Sequence, residues 1–226
     1  MIVKFFKSSG SGKALADYLE AEQVHQRDPV TGRTLYDQPK ISRDAPPEPL
    51  RGSFAEVVAL SETLSFAKTY KAGVIAFDAG DSPSPQQIQA VIDDFQKHAM
   101  AGLDQDRACW AWNLHRDKGN IELNFMVSNV DLDTGRFLNI APPGHEKFFN
   151  AWRDLKNLEH GWASPADPAR QQEFKTPRGE AKTRVQTTEL IHANVTALLD
   201  AGLFEPNRAG VLEALKTMGE ITRPGN

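Results

Sequence analysis

Two stretches of alternating side chains, joined by a glycine turn, constrain this chain more than anything else in it. Cys109–Leu114 sets Trp110, Trp112 and Leu114 against Cys109, Ala111 and Asn113, and Asn120–Val127 sets Ile121, Leu123 and Phe125 against Glu122, Asn124 and Met126. A period of two marks a strand with one buried face. Between them Asp117-Lys118-Gly119-Asn120 is turn chemistry, with Gly119 free to take a positive φ. The pair predicts an antiparallel β-hairpin. A turn centred on Lys118-Gly119 sets His115 opposite Glu122 and Asn113 opposite Asn124, and directly opposed residues share a face. His115, Glu122 and Asn124 then converge on one side, while the tryptophans, Ile121, Leu123 and Phe125 cover the other. An imidazole nitrogen with a carboxylate and an amide oxygen suits a divalent metal, Mg²⁺ or Mn²⁺, that keeps positions open for water or substrate. A solvated polar face accounts for the same residues.

The segment LHRDKGNIELNFMVSNVDLDTGRFL resembles the third motif of the HUH-type plasmid mobilisation relaxases. MIVKFF and GSGKALADYL at the start and FAKTYKAGVIAF in the middle extend the resemblance over residues 1–165. It is nearest to the branch of small colicin-type plasmids, whose metal triad reads His…Glu-x-Asn in place of three histidines; here those positions are His115, Glu122 and Asn124. The resemblance implies an α+β fold, with a central, mostly antiparallel sheet of about five strands and helices packed on it. It implies a catalytic domain over 1–165. The polar, proline-punctuated run after Trp162 and the two helical patterns beyond it read as a linker and a C-terminal helical appendage over 166–226. A chain that stops at ITRPGN without a closing element is expected to be part of a longer protein. The resemblance also implies a nicking reaction on single-stranded DNA at a transfer origin through a 5′-phosphotyrosine, with accessory mobilisation proteins and a coupling protein as partners. Tyr18 matches the nucleophile of the first motif; periodicity alone would make it a core residue on the apolar face of a helix over Lys13–Glu22. Asp117 suits a carboxylate that orients an imidazole or takes a proton, and equally the Asp that starts a turn. Lys68 and Lys71 beside Tyr70, with Arg116 and Lys118 at the hairpin tip, are candidates for DNA phosphates; a solvated edge suits them as well.

The remaining sequence bounds this reading. A formal charge of −4 over 226 residues argues against an all-over basic nucleic-acid binder, although Arg27, Arg33, Lys40, Arg43 and Arg51 gather in one region and Lys175, Arg178, Lys182 and Arg184 in another. A single cysteine, Cys109, excludes an internal disulfide. With no long apolar run and no signal peptide, the expectation is a cytoplasmic protein without membrane insertion. Ile2–Phe6 and Gly73–Phe77 read as central strands, and 24–52 as a long irregular connection. Helices are expected over Glu56–Leu64 (capped by Ser53), Gln86–Gly102, His145–Leu158 (with Phe148, Phe149, Trp152 and Leu155 inward), Thr187–Gly202 and Asn207–Gly219. Two rival functions remain: a replication-initiator or transposase-like nuclease, and a non-catalytic DNA-binding module in which the hairpin is structural.

Overall fold

The computed structural model describes residues 1–8, 10–29, 31–116, 119–167 and 182–221. Asp117 and Lys118 therefore lie outside the described residues, as do Lys175 and Arg178. The chain is α+β and divides into two compact units, Met1–Val24 with Ile41–Gln171, and His25–Lys40 with Gln172–Asn226.

The first unit is built on a five-stranded antiparallel sheet. Its strands are β1 (Ile2–Phe5), β4 (Glu48–Arg51), β5 (Tyr70–Ala76), β6 (Trp110–His115) and β7 (Glu122–Ser128), in the order β1-β5-β7-β6-β4. A two-residue ribbon, β2 (Gln23–Val24) with β3 (Ile41–Ser42), stands apart. The hairpin forms in the expected register, His115 opposite Glu122 and Asn113 opposite Asn124, and Gly119 takes φ +73°.

Period two then sorts the sheet into two faces. Trp110, Trp112, Leu114, Leu123, Phe125, Val127 and Ile75 face α3 (Pro85–Ala99) and α4 (His145–His160), and together they make the larger core. Phe95 of α3 is its hub: its ring centroid lies 5.0 Å from Phe125, 5.3 Å from Phe149, 5.4 Å from Trp152 and 5.5 Å from Trp112. Ala111, Met126, Tyr70 and Ala72 face the other way, against α1 (Lys13–Glu20) and α2 (Phe54–Thr63). The unit is thus three layers, helices on both sides of one sheet. Caps fix the helix starts: the Ser53 side chain accepts from Glu56 N, and Ser84 with Gln87 closes a full capping box.

Three features depart from the sequence expectation. Ile2–Phe5 is an edge strand, and the free side it leaves is guarded by charge at Lys4. The 24–52 connection contains β4, which supplies the opposite edge; Pro49 is tolerated there because an edge strand has a side on which no ladder N–H is needed. On α4, Phe149 and Trp152 are buried, whereas Phe148 and Leu155 are exposed. Phe148 instead stacks on His98 with centroids 3.7 Å apart, and burial pushes the His98 pKa down, away from the charged form that would answer the helix dipole.

In the second unit an isolated bridge pairs Arg27 with Thr34, and Asp28 Oδ1 accepts from Thr31 N at 2.7 Å inside that turn. α5 (Lys182–Asp200) and α6 (Arg208–Lys216) pack on each other, with Asn207 capping α6 through Gly210 N. No helix among the described residues is long and apolar enough to cross a membrane.

Candidate active site

The hairpin delivers four polar side chains to the α1/α2 side of the sheet: Asn113 and His115 from β6, Glu122 and Asn124 from β7. These are central strands, so both are held by ladders on each side, and Val74 and Ala76 of β5 lie next in register to Asn124 and Glu122. His115 is 2% exposed, Asn113 2% and Asn124 3%. A solvated polar face is thereby ruled out for these residues. Glu122 is half-buried and marks the open side of the cluster.

Polar groups this deep need partners. The C-terminal turn of α1 supplies one: Leu19 O accepts from His115 Nε2 at 2.8 Å and from Asn113 Nδ2 at 2.5 Å. The two nitrogens are 3.3 Å apart because both aim at the same carbonyl. An unprotonated Nε2 would set a lone pair against the carbonyl oxygen, so Nε2 carries a hydrogen and Nδ1 is the ring nitrogen left for any ligand. Two atoms are left over. Asn124 Nδ2 and Asn113 Oδ1 are buried without a hydrogen-bond partner.

These residues fit a divalent cation in donor chemistry. Imidazole nitrogen, carboxylate and amide oxygen together form a mixed, oxygen-rich set of the kind Mg²⁺ and Mn²⁺ accept. The described residues hold no cluster of three or more His, Cys, Asp or Glu, so a cation here has to draw on an amide as well. Of the two orphaned atoms, Asn113 Oδ1 is an acceptor of the kind a cation takes, whereas Asn124 Nδ2 is a donor, so Asn124 would ligate through its Oδ1 and leave the Nδ2 to an acceptor such as water or a phosphate oxygen.

Tyr18 sits one residue before Leu19 and is 39% exposed. The same hydrogen bond that anchors α1 to His115 therefore fixes the tyrosine's backbone beside the cluster. Arg43 adds a second hold: its Nε donates to Ala21 O at 2.8 Å, its Nη2 to Tyr18 O at 3.1 Å, and its guanidinium carbon lies 5.1 Å from the Tyr18 ring centroid. Arg43 is itself buried.

The other candidates are placed differently. Arg116 is exposed at the end of β6. Lys71, in register with Val127, belongs to the α3/α4 face, opposite the His115 cluster, with its Nζ 5.5 Å above the Phe5 ring. Lys68 lies in the loop just before β5. Arg51 is committed to Asp93 at 2.6 Å and to Gln96 at 2.6 Å. Asn113 and Arg43 are the two residues that sequence reasoning missed. Asn113 carried a signal, since its register partner is Asn124; Arg43 carried only its charge.

The fold is an α+β domain built on one five-stranded antiparallel sheet, and comparison with known proteins gives its family. Residues 47–162 match the family described as Relaxase: MobA/VirD2-like, nuclease domain, so the chain belongs to the MobA/VirD2-like relaxases. That match includes the hairpin and begins beyond Tyr18. Cryptic plasmid protein C of Neisseria gonorrhoeae is 36% identical over 177 residues, which cover 76% of this chain and 76% of that protein. DNA relaxase MbeA of Escherichia coli is 29% identical over 229 residues, covering 99% of this chain and 40% of MbeA. The chain thus spans well under half the length of MbeA.

Proposed function

We propose that this chain is the nicking domain of a plasmid mobilisation relaxase, cutting and rejoining one DNA strand at a transfer origin. The observation that carries the reading is the Leu19 carbonyl, which joins the helix bearing Tyr18 to the strand bearing His115. This link supports reading Tyr18 and the polar cluster as parts of one site. Family membership, and the relative named as a DNA relaxase, support the same class of reaction.

In this reading Tyr18 Oη attacks the scissile phosphorus in line. The P–O3′ bond breaks as the P–Oη bond forms, giving a 5′-phosphotyrosine; the phenolic proton leaves to solvent and the departing 3′ oxygen takes one up. A phenol is a weak nucleophile at neutral pH, so the site has to lower the barrier by position and charge. Arg43 and Leu19 O hold the tyrosine's helix in place. His115, Glu122 and Asn124 would hold a divalent metal, Mg²⁺ or Mn²⁺, which when bound neutralises charge on the non-bridging phosphate oxygens. Because one phosphodiester replaces another, the reverse attack by a 3′-OH religates the strand. Arg116, Lys118 and Asp117 sit beside the site in sequence, the two basic residues as phosphate contacts and Asp117 as a carboxylate orienting His115. Accessory mobilisation proteins and a coupling protein complete the process in the cytoplasm.

The test is a denaturing gel after incubation with a labelled single-stranded origin oligonucleotide, with Mn²⁺ or with EDTA. A metal-dependent protein–DNA adduct that vanishes in Tyr18→Phe supports the reading. Adduct formation that survives Tyr18→Phe would remove Tyr18 from its role. Tight binding with no adduct, across oligonucleotides tiling the origin, would leave a DNA-binding module.

A further inference from the structure

Away from the His115 cluster, a cleft of about 610 Å³ is lined by the end of β1 and the residues after it, by Lys68 and Lys71 at the start of β5, and by the first turn of α4. Its lining includes Lys4, Lys7, Lys68 and Lys71, and the only carboxylate among its lining residues is Glu146. None of the four lysines forms a salt bridge among the described residues. Among the other described lysines, Lys13 pairs with Asp17 at 3.2 Å, Lys156 with Asp94 at 2.9 Å and Lys216 with Glu213 at 2.5 Å, while Lys40, Lys97 and Lys147 stand singly; what sets the cleft apart is four lysines gathered against one carboxylate.

Keeping an edge strand from pairing accounts for Lys4 and Lys7 alone. It does not account for Lys71, which lies on the neighbouring strand, half-buried above the Phe5 ring. Burial and the nearby Lys68 both push the Lys71 pKa down, so the fold holds this ammonium at a cost that only Glu146 partly offsets. The α4 N-terminus adds to the positive field, since Gly144 at its cap offers no side-chain acceptor. By register Lys4 belongs to the catalytic face and Lys71 to the opposite one. The lysines therefore run round the sheet edge, from the side of the His115 cluster to the far side.

We propose that this cleft binds the phosphodiester backbone of single-stranded DNA outside the nick site, leading the strand from the catalytic face around the β1 edge. The proposal rests on the relaxase reading for its choice of polyanion. Each backbone phosphate neutralised on a single strand contributes about 0.7 to the slope of log affinity against log salt. Loss of two to four contacts should lower that slope by about 1.4–2.8.

The experiment measures binding of a labelled single-stranded oligonucleotide by fluorescence anisotropy across a salt series, with Tyr18→Phe present throughout so that no cleavage intervenes. The variant carries Lys4→Gln, Lys7→Gln, Lys68→Gln and Lys71→Gln together. A shallower slope and at least tenfold weaker binding near physiological salt are expected. An unchanged slope, or no binding by the parent, overturns the proposal. In parallel, the parent protein is acetylated with and without saturating oligonucleotide and each lysine is read by mass spectrometry, which does not depend on a variant folding. Protection of these four lysines, with Lys216 unprotected, is expected. Equal protection by inorganic phosphate or a mononucleotide would make the cleft a small-anion site and overturn the polymer reading. Adduct formation in the gel assay is a separate readout, so failure of the nicking reaction and failure of this cleft are told apart.

Discussion

Asn124→Leu should separate what the buried cluster does for the fold from what it does for a ligand. Asn124 is 3% exposed and its Nδ2 has no hydrogen-bond partner. A buried polar group left in that state costs about 1–3 kcal/mol. Leucine has similar bulk and no such debt, so in EDTA the variant should match or exceed the parent, by up to about 2 kcal/mol. In a domain of this size 1 kcal/mol moves Tm by roughly 2–4 °C. Metal reverses the order. A ligand at 100 times its Kd stabilises the folded state by about 2.7 kcal/mol, and a variant lacking one ligand forfeits most of that. The assay is thermal unfolding by tryptophan fluorescence, in EDTA and in Mn²⁺. All four tryptophans, Trp110, Trp112, Trp152 and Trp162, lie in the sheet-bearing unit, so the signal reports that unit alone. The two curves should cross: variant at or above parent in EDTA, parent above variant in Mn²⁺. A variant more than about 1 kcal/mol less stable in EDTA would show that the amide is a structural group and refute the reasoning. A parent indifferent to Mn²⁺ would refute the metal site.

Gly52 sits at φ +63°, where a Cβ would come 1.9 Å from Trp110 O, so Gly52→Ala should destabilise by at least about 2 kcal/mol in urea unfolding; a change below 0.5 would mean that β4 shifts freely. Arg107 donates to Asp131 through Nε at 2.9 Å and Nη2 at 2.6 Å, and holds the carboxyl well below its ordinary value of 3.8. A depressed folded pKa stabilises above the ordinary carboxylate range and loses that contribution as pH falls below about 4. Asp131→Asn should therefore lower stability at pH 7 and flatten its decline in acid, and an unaltered acid limb would count against the pair. Arg43→Lys should retain part of the hold on Tyr18 O while Arg43→Ala loses it. Adduct formation should then fall in the order Arg43, Lys, Ala with DNA affinity little changed, and a matching loss of affinity would instead mean that Arg43 contacts DNA.

The hairpin and its register were legible because alternation and a glycine turn are local signals, and one register alone buries the tryptophans together. Sheet order was not legible. Ile2–Phe5 reads as apolar enough for a central position, but whether a strand has one neighbour or two is decided by pairings with residues 70 positions away. β4 was hidden because Glu48 and Pro49 disfavour strands, and only its edge position makes them acceptable. Phe148 and Leu155 looked like core because their spacing suits a helix face; α4 meets the sheet a fraction of a turn away, through Phe149 and Trp152. At the site, His115, Glu122 and Asn124 announce themselves by residue type. The partner of His115 does not, because it is a main-chain carbonyl and any residue at position 19 would have one. Arg43 was legible only as charge, and its buried role depends on where the α1 carbonyls fall.

That carbonyl has a consequence for how the site can vary among descendants of this sequence. Position 19 must supply an apolar side chain to the smaller core, since Leu19 is 1% exposed, while its oxygen serves the cluster whatever that side chain is. The two demands fall on different atoms of one residue, so exchange among leucine, isoleucine or methionine leaves the link to His115 in place. Only a change that moves α1 itself, or that removes the donors at 113 and 115, can cut it. Drift in the core and preservation of the site are therefore compatible over long divergence at this junction, and the joint between helix and hairpin is the part of the molecule where substitution is least able to uncouple them.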